Sequence, residues 1–164
     1  QPGVTTFDQA RLILERHPWV DADSVRADYS DLRDHLRWAW SDQAPGFISD
    51  LDAMRPANAY ATQSTIQVLS IATDIPFGAV LLLLGQPEGG FVTVSSTRSP
   101  DGIEHITYYQ GGHVTMINTL SCPLRRRDFW GTPVNLSVRA ADATNGNLHL
   151  LRYDLRRWWQ AVGC

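Results

Sequence analysis

SVRADYSDLRDHLRWAW, residues 24–40, can be read in two ways, and the fold turns on which holds. Val25, Tyr29, Leu32, Leu36 and Trp40 stand at i, i+4, i+7, i+11 and i+15 behind a Ser24 cap, which is the pattern of an amphipathic helix. Leu36, Trp38 and Trp40 also alternate with polar or small residues, and aromatic side chains suit a half-buried strand. The second reading favours a strand over residues 35–41. Trp38 and Trp40 then share one strand face and become candidate contact residues for a partner.

The argument for the strand comes from further along the chain. IPFGAVLLLLGQP, residues 75–87, predicts a short buried helix, opened by Pro76 and stopped by Gly85 with Pro87 beyond it. Phe91–Ser95, Ile103–Tyr109 and His113–Asn118 follow as strands of an antiparallel meander, with turns at residues 99–102 and at Gln110-Gly111-Gly112. Val134–Arg139 and Leu148–Leu155, flanking Asn145-Gly146, predict two further strands. The first half repeats this order. Phe7–Arg16 has helical spacing, with Thr6 as N-cap and Pro18 past its end. Laying Leu12 on Leu81 puts Pro18 on Pro87, and one residue of slippage puts residues 35–40 on 105–110. Ile66–Ala72 reads as a strand leading into the second helix, Asp42–Met54 as a polar connection, and Arg55–Ala61 as a linker. The expected fold is α+β: two tandem units, each a short helix on an antiparallel meander, over residues 1–61 and 62–164 of one globule.

The chain has 164 residues, 43% hydrophobic and 19% charged, with a net charge of −3. All 14 basic residues are arginine, so lysine chemistry is excluded, and the mild acidity argues against a nucleic-acid partner. No apolar run reaches the length of a membrane span. The chain begins Gln1-Pro2, which fits a terminus left after removal of a signal or anchor segment. Cys122 and Cys164 are the only cysteines. Two buried thiols of a cytosolic protein and a structural disulfide of an exported one are both compatible with them. The terminal position of Cys164 favours the disulfide, which would close a loop of about 43 residues and remove on the order of 4 kcal/mol of unfolded-state entropy.

Ile75, Gly78, Val80, Leu84, Gly85 and Pro87 resemble the I-x-x-G…V…L-G-x-P helix of small exported bacterial proteins such as the outer-membrane assembly lipoprotein BamE. The fold expected here is similar to that of the duplicated β-lactamase inhibitor protein. The resemblance implies an extracytoplasmic, non-catalytic module that binds another macromolecule through its sheet or loops, an accessory component of a cell-surface or membrane-associated assembly.

Few residues suggest chemistry. His105 and His113 are placed by the Gly111 turn about four strand residues, roughly 13 Å, apart, too far to share a metal ion, and read as partly exposed sheet histidines. The acidic stretch Asp21, Asp23, Asp28, Asp31 and Asp34 has Arg26 and Leu32 where a calcium loop needs Gly and Glu, and so reads as a solvated turn. No cofactor is expected. Arg125, Arg126 and Arg127, with Arg156, Arg157, Trp158 and Trp159, form a basic aromatic set that the disulfide would gather, suited to an anionic or glycan surface or a protein. An enzyme inhibitor or immunity-type protein and a cell-wall hydrolase are the alternative functions. A flat aromatic face would favour binding, and a cleft joining His105 or His113 to Asp101 would favour the enzyme.

Overall fold

The computed structural model describes residues 1–30, 33–49, 57–94, 102–121 and 125–141. Leu148–Leu155, the turn at 145–146, Cys122, Cys164, Arg156, Arg157, Trp158 and Trp159 lie outside them. The described chain is mixed α/β, with one antiparallel sheet of eight strands in the order β1-β2-β3-β4-β8-β7-β6-β5. Helix α1 (Phe7–Arg16) precedes β1 (Arg26–Asp28), β2 (Asp34–Trp38), β3 (Ala57–Thr62) and β4 (Thr65–Pro76). Helix α2 (Phe77–Leu84) precedes β5 (Gly89–Val94), β6 (Gly102–Tyr109), β7 (Val114–Ser121), helix α3 (Arg126–Gly131) and β8 (Pro133–Arg139). The chain divides into two compact units, residues 1–74 with a returning segment from 136, and a second beginning at residue 75. The first unit runs to residue 74, and residues 57–61, read from the sequence as part of a linker, form strand β3 within it. Ala59 and Leu69 are partners across the β3–β4 hairpin, so β4 stays with the first unit up to Asp74.

Residues 24–40 are not a helix. Asp21 caps a short 3-10 turn over Ala22–Ser24, accepting from the Asp23 N–H at 3.1 Å. The Ser30 hydroxyl accepts from the Arg33 N–H at 3.1 Å, setting the turn between β1 and β2. Asp28 pairs with Arg37 on the neighbouring strand. These carboxylates therefore cap and pair locally, as short polar side chains do in turns. Opposite β2, strand β3 offers alanines: Leu36 faces Ala59 and Trp38 faces Ala57. Small residues across from large ones leave room for Leu36 and Trp38 to fill the core with Phe7, Val20 and Ile66, a fit that an isolated helix of residues 24–40 would forgo.

Helix α1 spans the expected residues. Thr6 and Gln9 form a reciprocal capping box, the Gln9 N–H reaching the Thr6 hydroxyl at 3.3 Å and the Thr6 N–H the Gln9 side chain at 3.1 Å. Thr6→Ala should lower stability by about 1 kcal/mol. Urea denaturation followed by far-UV circular dichroism would read this as a lower midpoint at unchanged slope.

Candidate docking surface on the second unit

Helix α2 sits where the sequence places it but is not the buried helix expected. Its first turn is anchored, with Phe77 and Val80 buried. Its last turn stands in water, with Leu82 89%, Leu83 83% and Leu84 44% exposed. The reason is length. Eight residues give the helix a little over two turns. Phe77, whose ring meets His105 of β6, and Val80 are the buried positions, and the residues after them carry past that contact. Gly85, at φ +80°, ends the helix and returns its N–H to the Leu81 carbonyl at 2.9 Å, while the Tyr109 hydroxyl donates to the Gly85 carbonyl at 3.4 Å. Burial raises the Tyr109 phenol to about 12.

The anchor is an aromatic cluster. The Phe77 ring lies 5.1 Å from both His105 and Phe129, those two are 5.1 Å apart, and Trp130 stacks on Phe77 at 6.1 Å. Phe129 and Trp130 belong to α3, an element that no capping or periodicity signal announced. It fits closely against α2, since a Cβ on Gly78 would stand 3.1 Å from the Trp130 carbonyl oxygen. The Phe77 N–H donates to the Thr132 carbonyl at 2.9 Å, so α2 begins where α3 ends.

His105 corrects a second expectation, because it is fully buried and not a partly exposed sheet residue. It pairs in register with Asn118, and its Nδ1 bonds Asn118 Oδ1 at 2.7 Å. Desolvation pushes its pKa down to about 4, against a smaller upward pull from Asn118. The imidazole is thus neutral near pH 7 and walled by phenylalanine rings. Among the described residues no group of three or more His, Asp or Glu side chains is arranged to hold a metal ion.

Trp38, only 2% exposed, and Trp40, half-buried, meet edge-to-face at 5.8 Å in the first unit, where both pack in the core. The Trp38 indole belongs to that core, and the half-buried Trp40 indole packs against it. Arg125 is exposed at the N-cap of α3, Arg126 opens the helix, and Arg127 is exposed with its Nε 3.1 Å from Asp128. The surface that sequence reasoning missed is the leucine end of α2. Its signal lay in the run Leu81–Leu84 itself: four consecutive leucines go all the way round a helix, and a helix resting on a sheet buries only one side.

An open groove of about 600 Å³ in the first unit is lined by Ser30, Arg33, His35 and Thr62, but the Ser30 hydroxyl is already committed to its own turn. No described helix is long and apolar enough to cross a membrane. Compared with protein-family models, curated proteins and solved structures, the chain matches none.

Proposed function

We propose that the chain is a non-catalytic binding module of an extracytoplasmic, membrane-associated or cell-surface assembly, built from two tandem helix-plus-meander units. The observation that carries the binding reading is the last turn of α2, where three consecutive leucines remain in water although the same helix anchors Phe77 and Val80. Large apolar groups kept exposed side by side are a feature of surfaces that a partner covers. The tandem reading is supported by the element order, in which α1 is followed by β1–β4 and α2 by β5–β7 before α3 and β8, and by α1 and α2 opening on Phe7 and Phe77. The extracytoplasmic reading rests on the Cys122–Cys164 pair.

A photoreactive amino acid at position 83, introduced into the full chain in its native cells, tests the binding reading. The expected result is a defined cross-linked product at position 83 that is absent when the probe is placed at exposed Asp8 on α1. Equal, diffuse labelling from both positions would overturn it.

A further inference from the structure

We propose that the α2–α3 pair docks on an anionic lipid bilayer, with the leucine end of α2 entering the hydrocarbon boundary and the arginines of α3 meeting lipid phosphates. The inference rests on the binding-module reading and names its partner.

Three observations favour lipid over protein. The first is angular: successive helical residues are 100° apart, so Leu82, Leu83 and Leu84 sweep about 200° around the helix end. A flat protein partner covers one side of a helix, whereas fluid hydrocarbon closes around a protruding tip. The second is area. The exposed leucine surface amounts to roughly two whole side chains, on the order of 300 Å², well short of the ~800 Å² per partner of a stable protein interface. It suits the shallow insertion of an interfacial anchor.

The third observation is charge. Residues 75–87 contain no ionisable side chain, so nothing charged has to enter the boundary with the leucines. In the same unit α3, which meets the base of α2 at Phe77 and Gly78, supplies exposed Arg125 and Arg127, guanidinium groups whose forks match phosphate oxygens. Trp130, 36% exposed between the arginines and Gly78 of α2, has the amphipathic character that suits the headgroup level. Two acids of this unit are engaged locally: Asp128 pairs with Arg127, and the Glu88 carboxylate accepts the Gly111 N–H at 2.8 Å. An apolar insertion and a basic patch are the two signals that together give useful anchoring.

Flotation of the full chain with phosphatidylcholine vesicles, with and without phosphatidylserine, tests the proposal. The expected association with phosphatidylserine vesicles is on the order of 10⁴ M⁻¹, comparable to a single acyl chain. L82Q/L83Q, which keeps good helix formers at exposed positions, should lower it at least tenfold. R125Q/R127Q should lower it by roughly tenfold or more on phosphatidylserine vesicles and leave pure phosphatidylcholine unaffected. Wild-type protein that stays unbound to both vesicles, or binding that L82Q/L83Q leaves intact, overturns the proposal. If a cross-link from position 83 to a protein persists in that case, the binding-module reading stands and only the lipid assignment falls. Loss of both removes both.

Discussion

Phe77→Ala is expected to cost about 3–5 kcal/mol, the range for truncating a fully buried aromatic ring. Phe77 is the first residue of α2 and touches His105, Phe129 and Trp130, so one ring joins two helices to strand β6. Its removal leaves a cavity that those partners cannot easily close. Phe129 is itself fully buried against Phe77, so the same cavity loosens α3. The loss should therefore be read first in the second unit, as faster amide exchange in α2, α3 and β6, with the first unit following only at higher denaturant. A measured loss below 1 kcal/mol would mean that the cluster does not anchor α2. The position also separates structure from docking: Phe77→Ala removes the base of the helix, whereas L82Q/L83Q alters its exposed end at little cost to the fold.

The second large effect is an acid-induced loss of stability centred on His105. Its pKa is about 4 in the folded chain, against an ordinary histidine value of 6.5 when unfolded. Above pH 6.5 both states hold the ring neutral and the group contributes no pH dependence. As the pH falls from 6.5 to 4, the unfolded chain takes up a proton that the folded chain refuses, and stability declines by about 3 kcal/mol. Urea midpoints measured between pH 7 and pH 4 should therefore fall, and the fall should be much smaller in His105→Gln, which keeps an amide donor near Asn118 but does not titrate. An identical slope in the two proteins would assign the acid sensitivity to carboxylates elsewhere.

What could be read from the sequence follows from where the physics is local. The capping box at Thr6, the stop at Gly85 and the turn at Gly111 are decided by neighbours within a few residues, and α1, α2 and the β6–β7 turn were visible in them. Strand β3 was hidden because Ala57, Ala59 and Ala61 carry no strand preference of their own. They are strand residues because Trp38 and Leu36 need small partners across the sheet. Residues 24–40 were ambiguous for the same reason, since Leu36 fits both periods and only its pairing with β3 decides. Helix α3 was missed because Phe129 and Trp130 respond to Phe77, which lies 52 residues earlier. The proposed docking surface is half legible: Arg125–Arg127 stand out in the sequence, while hydrophobicity alone assigns Leu82–Leu84 to the core.

Among the described residues, the order of the sheet leaves β1 and β5 outermost. An open sheet has two outer strands, and each offers unpaired backbone groups on which another chain can grow. At one edge, β1 is only three residues long, and two of them, Arg26 and Asp28, are charged and exposed. At the other, β5 reads Gly-Gly-Phe-Val-Thr-Val, six residues without a charge. These two outer strands are thus unequally guarded against edge-to-edge pairing, β1 by shortness and charge and β5 by neither.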